Sequence, residues 1–204
     1  MRILKLIWPL FIVQFFTWIG LFALWIYTTP VVTQFVFRSI NEKAMNYGKG
    51  IEWVGYCFAL YALLAGFLSF KVHGWSKKIG KYRYHGISLA IGALGLMAMS
   101  KLQSPIPFLL CFVLIGIAWS SIGNIPYAII GELSNDSNAD RIYIVFNFSI
   151  IIPQVIAAFL LGFLTEKPFH GNSQQTLFFG GLSMLLGAII MLFIKPIQPE
   201  NPQN

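Results

Sequence analysis

From Leu6 to Phe37 the chain carries no Asp, Glu, Lys or Arg. A helix that spans a bilayer needs about 20 apolar residues, within a range of ~17–25, so this run can cross and still supply a turn. It is too long for the ~7–15-residue apolar core of a signal peptide, and no small-residue cleavage site follows it. With Arg2 and Lys5 ahead of it, the run reads as a retained first helix. Five more uncharged intervals follow: Trp53–Phe70, Gly86–Ser100, Leu102–Gly131, Ile142–Thr165 and Pro168–Ile194. Together they predict an all-α membrane protein with six transmembrane helices, over 6–30, 52–70, 84–101, 106–131, 142–165 and 175–194. These form one domain, 1–195, and the polar, proline-rich tail 196–204 is expected to be disordered.

Composition excludes the soluble alternative. The chain is 57% hydrophobic and 10% charged, whereas a soluble domain carries about 25% charged residues. The net charge of +7 does not point to nucleic acid, because membrane proteins concentrate Lys and Arg in their cytoplasmic loops. Here nine basic residues fall on one face: Arg2, Lys5, Lys71, Lys77, Lys78, Lys81, Arg83, Arg141 and Lys195. Five fall on the other: Arg38, Lys43, Lys49, Lys101 and Lys167. The heavier face is expected to be cytoplasmic, with both termini, in a plasma or inner membrane. Cys57 and Cys111 lie inside apolar runs without metal or redox spacing and are expected to be buried.

The third interval is short and rich in small residues, including Ser88, Ala90, Gly92, Ala93 and Gly95. Such faces let membrane helices approach closely, so a short, tightly packed interior helix is expected there. Pro30 and Pro105 fit helix ends. Pro126 and Pro153 fall inside the fourth and fifth segments, as kinks or as breaks that line a cavity.

No Asp, Glu, Lys or Arg lies inside an apolar interval, so the chain supplies no obvious carboxylate for a proton relay at membrane depth. Neither a phosphate-binding glycine loop nor a metal-ligand cluster is present, and no nucleophile set lies at depth. Enzyme activity, metal and cofactor are therefore not expected. The polar and aromatic residues within the runs are the informative ones. Gln14, Thr17, Trp18, Trp25 and Thr28 recur near helical spacing on the first helix. Asn124 and Tyr127 lie on the fourth, and Asn147 and Gln154 on the fifth. Apolar walls with a few placed polar groups make a small-molecule site, and flat rings with hydrogen-bonding groups suit a sugar. The plainer alternatives are polar contacts between helices and aromatic anchoring at the interface. A second set is ionic: the loop Trp75–Arg83, with Lys77, Lys78, Lys81 and Arg83, shares a face with Glu132, Asp136 and Arg141. Ion pairs between them would gate the cytoplasmic side, or these residues form solvated loops.

Several of these blocks resemble a known family. Val13–Trp18 with Leu24–Pro30 is similar to the seventh helix of the sucrose/maltose (glycoside) proton symporters of the major facilitator superfamily. Trp53–Ala59 resembles the start of their eighth helix. Asn124–Ala128, Phe146-Asn147-Phe148 and Ile152-Pro153-Gln154 resemble their tenth and eleventh. The Gly80-plus-basic loop resembles one the superfamily has between the second and third helices of each half, without its usual acidic residue. Asp140 and Ile144 stand where relatives tend to have glycine. The resemblance implies the C-terminal, second-repeat half of a major facilitator fold. It implies alternating-access transport of a sucrose- or maltose-like sugar, proton-coupled through acidic groups of an N-terminal half, with Gln14, Trp18, Trp25, Thr28, Asn124, Tyr127, Asn147 and Gln154 as candidate contacts. The partners implied are lipid, the sugar, and an N-terminal six-helix half or a second copy. The alternatives are a cation-coupled glycoside symporter of a neighbouring branch, and a non-transporting remnant or interaction subunit.

Overall fold

A computed structural model describes residues 2–134 and 139–196. Every element among them is helical. Helix α1 spans Arg2–Val31 and runs into a π-helical turn, Val32–Val36; α2 is Met45–Ile79, α3 Lys81–Met99, α4 Pro105–Ile122, α5 Ile125–Leu133, α6 Ala139–Glu166 and α7 Ser173–Phe193. With α4 and α5 as two pieces of one span, these make a six-helix bundle. The main contacts run α6–α1–α7–α3–α4–α2. Five spans are long and apolar enough to cross a membrane: Ile7–Val36, Met45–Ile79, Pro105–Leu133, Ala139–Glu166 and Ser173–Phe193. The chain is an integral membrane protein.

α3 falls outside those five. Its 19 residues begin with Lys81, Arg83 and His85, which lowers its apolarity. It is instead the interior helix expected, wedged between α7 and α4. Small residues set that spacing. A methyl group on Gly92 would collide with the Ala118 side chain of α4, and one on Gly181 of α7 would stand 2.6 Å from Met97 Cγ. On the other flank of α7, a methyl on Gly20 of α1 would stand 2.8 Å from the Gly180 carbonyl. Ser183 donates from α7 to the Phe16 carbonyl at 2.9 Å. Without a hydrophobic drive between helices in lipid, such close packing and interhelical hydrogen bonds hold the bundle.

Four expectations change. First, Pro30 does not end the first helix; it lies inside α1. Lacking an N–H, it disturbs the ladder, and the chain answers by widening into the π turn. Thr33 Oγ1 donates to the Thr29 carbonyl there at 3.0 Å. Second, Trp75–Arg83 is not a loop. α2 continues to Ile79, and α3 begins at Lys81. Only Gly80, at φ 89°, separates them; that backbone region is almost closed to other residues. Third, α2 is far longer than 52–70. Its 35 residues reach about 52 Å at 1.5 Å per residue, against ~30 Å of hydrocarbon. Fourth, the fourth segment is broken, not merely kinked. Gly123 and Asn124 separate α4 from α5, with Pro126 in the first turn of α5. Pro153, by contrast, sits within an unbroken α6. Of the tail 196–204, all beyond Pro196 lies outside the described residues.

Candidate substrate site

The first-helix candidates lie inside the bundle. α1 is apolar on nearly all sides because α6 and α7 pack on it. Gln14, Thr17, Trp18 and Thr28 are all buried. Thr17 packs against α7, its hydroxyl 3.2 Å from where a side chain on Gly187 would begin. Thr28 Oγ1 donates to its own helix, to the Leu24 carbonyl at 2.6 Å, so its proton is not free for a ligand. That removes Thr28 as a hydroxyl donor to a sugar in this conformation.

What remains is an aromatic centre. The Trp18 and Trp25 rings stand 6.0 Å apart. Trp119 of α4 completes a triangle, 6.3 Å from Trp18 and 5.8 Å from Trp25, edge-on to both. Tyr61 of α2 follows at 6.2 Å from Trp119, and Phe112 at 6.2 Å from Tyr61. Edge-to-face pairs at such distances are worth ~0.5–1.5 kcal/mol each. Trp18 is tucked away, while Trp25 and Trp119 are half-buried. Trp119 and Tyr61 were not anticipated. A clue was present in Trp119, a Trp well inside an uncharged run, whereas Trp is enriched at membrane interfaces.

Trp18 and two of its neighbours on α1 carry unmet polar atoms, that of Thr17 on the side towards α7. Gln14 Oε1, Thr17 Oγ1 and Trp18 Nε1 are buried with no hydrogen-bond partner. They sit within one helical turn of α1. A buried polar group left unpaired costs ~1–3 kcal/mol, and each such group in a native protein calls for a partner.

The remaining candidates separate from this centre. Asn124 sits at the α4–α5 break, where its amide donates to the Ser120 carbonyl at 2.7 Å and to Ser69 Oγ of α2 at 3.1 Å. It covers a carbonyl freed by the break. It also lines a small cavity of about 110 Å³ with Ser69, His73, Ser76 and Lys81. Asn124 therefore belongs with the ionic set and not with the Trp triangle. Tyr127 is exposed and meets Phe146 of α6 edge-on at 5.2 Å. Asn147 is exposed and Gln154 half-buried on α6.

Within the ionic set, Lys81 and Glu132 form a salt bridge from the start of α3 to the end of α5. Lys77, Lys78, Arg83 and Arg141 are exposed. Lys77 and Lys78 occupy the last turn of α2, where cations oppose the negative end of the helix dipole. Asp136 lies outside the described residues. Sequence reasoning missed His85: it is fully buried and shares a 2.8 Å hydrogen bond with Ser121 Oγ of α4.

No family model matches the chain. Among solved structures, it is similar to that described as the "Crystal structure of auto inhibited POT family peptide transporter", with a TM-score of 0.63 and 17% identity. The likeness covers 99% of this chain and 40% of that one, so the chain spans well under half the length of that transporter. Together with the helix order, this shows that the chain shares the six-helix fold of part of that transporter.

Proposed function

We propose that this chain is one six-helix half of a transporter that moves a small sugar, sucrose- or maltose-like, by alternating access. The observation that carries the reading is the Trp18–Trp25–Trp119 triangle, with the unmet Trp18 N–H in it and the unmet Gln14 carbonyl one turn away on α1. Indole faces suit the C–H faces of a sugar ring, and the unmet Trp18 and Gln14 groups supply an N–H donor and a carbonyl acceptor. Both are closed off in this conformation, so a rearrangement that opens α1 towards α4 and α2 would admit the ligand. The resemblance of Val13–Trp18 and Leu24–Pro30 to sugar symporters supports the same reading. Proton coupling would rest on carboxylates of an N-terminal half. The two ends of the chain, with the Gly80 corner, would face the cytoplasm, as the basic residues there suggest.

A peptide substrate is the second reading, favoured by what the similar solved structure is said to transport. A zwitterionic peptide needs fixed charges at membrane depth to replace its hydration. The triangle and its unmet groups are uncharged, which favours the sugar. Proteoliposomes holding the complete transporter, given labelled maltose, sucrose or a dipeptide, separate the two. Saturable sugar uptake that falls at least about tenfold in Trp25→Ala and Trp119→Ala supports the proposal. Dipeptide uptake with no sugar uptake overturns it.

A further inference from the structure

The end of the bundle away from the Gly80 corner holds a groove of about 460 Å³. It opens between the turn after α3 and the first turns of α7, and is lined by Ser100, Lys101, Asn172, Gln174, Phe178 and Leu182 among others. None of these residues takes part in the aromatic centre or the ionic set. Lys101 is exposed and stands 5.9 Å from the centroid of the Phe178 ring. Among the described residues it has no carboxylate partner. Gln174 supplies a second, independent feature: its Nε2 is buried with no acceptor. Asn172 Oδ1 is already used, accepting from the backbone N–H groups of Gln174 and Gln175 at 3.0 and 3.3 Å. That leaves the Asn172 amide with donors to give. The wall is thus one cation and amide donors, with no competing anion.

The same groove continues into apolar surface. From Gln174 to Leu182 along α7 is about 12 Å at 1.5 Å per residue. The polar layer of one leaflet is only about 5–8 Å thick, half the difference between the whole bilayer and its hydrocarbon core. A groove that begins at headgroup level at the start of α7 would therefore end among acyl chains. A free phosphate would fill only its polar end.

We propose that this groove binds an anionic phospholipid: its phosphate on Lys101, Gln174 and Asn172, its acyl chain along Phe178 and Leu182. The test follows thermal unfolding of the full chain in detergent by tryptophan fluorescence. Phosphatidylglycerol, phosphatidylcholine with the same acyl chains, and inorganic phosphate are added separately. Phosphatidylglycerol should raise Tm by about 3 °C or more over phosphatidylcholine. Lys101→Gln should remove at least half of that difference. Gln174→Leu should reduce it too while leaving the lipid-free Tm unchanged or higher. Lys167→Gln, which removes an exposed cation outside the groove lining, should keep it whole. Equal shifts from both lipids overturn the proposal. So does an equal loss in Lys167→Gln and Lys101→Gln, which would mean general surface charge. A full shift from inorganic phosphate alone overturns it in favour of a free-anion site.

Discussion

The Thr28 hydroxyl is committed to its own helix, and the Trp119 ring stands against Trp18, Trp25 and Tyr61. Thr28 looks like a ligand donor on a polar stripe, but its hydroxyl is bonded to the Leu24 carbonyl at 2.6 Å. Thr28→Val should leave substrate uptake unchanged and cost about 1 kcal/mol or less of stability, because only a local helix bond is lost. Trp119 touches both candidate tryptophans and Tyr61. Trp119→Phe keeps a ring and should retain far more uptake than Trp119→Ala in the same proteoliposomes. A parallel fall of uptake in Thr28→Val would return that residue to the site. Packing gives an independent residue-scale expectation. Gly92→Leu forces a side chain into Ala118 and should destabilise by ~1–3 kcal/mol. Gly48→Ala meets nothing within 4 Å and should be close to neutral or slightly stabilising. Thermal unfolding of the two variants side by side checks this.

At the scale of elements, the reason for the misplaced boundaries is physical. Charged residues mark where the hydrocarbon ends, not where the helix ends. Lys49, Glu52, Lys71, Lys77 and Lys78 all lie within α2, which runs on through the polar layers. The short third helix was legible because its uncharged run is brief and rich in small residues, which favour close packing between membrane helices. The site was less legible. α1 is apolar almost all round, so periodicity could not say which side faces α7 and which faces α4. The distance in sequence between Trp18 and Trp119 hid their contact altogether. The α2–α3 corner carries its own prediction. Gly80→Val places a branched residue at φ 89° and should cost ~1–3 kcal/mol, moving Lys81 away from Glu132. Lys81→Gln alone removes only a partly exposed pair, which should cost under ~1 kcal/mol. If the two variants unfold at the same temperature, the corner is held by the ion pair and not by glycine.

For the whole molecule, burial is unevenly distributed. About 61% of the most apolar stretch of α1 is buried, but only 22% of that of α2 and 28% of that of α6. These two helices stand at the ends of the packing order. α2 exposes Phe67 and Phe70, and α6 exposes Ile151, Val155, Phe159 and Phe163. Lipid would accept such surfaces. A second six-helix body, or a second copy, would also accept them. The two cases differ in what an exposed thiol meets. Cys57 and Cys111 are buried, so a cysteine at Phe67 or Phe159 would be the reactive one among the described residues. If the chain is one half of a transporter, as proposed, a short bifunctional thiol–amine reagent in native membranes should link Phe67→Cys or Phe159→Cys to the other half, and leave Phe193→Cys, at the end of α7, unlinked as a control. Links at all three positions would mean random collision. Labelling of Phe67→Cys and Phe159→Cys by a lipid-soluble maleimide without any link would mean that both helices face lipid and that no second body is seated on them.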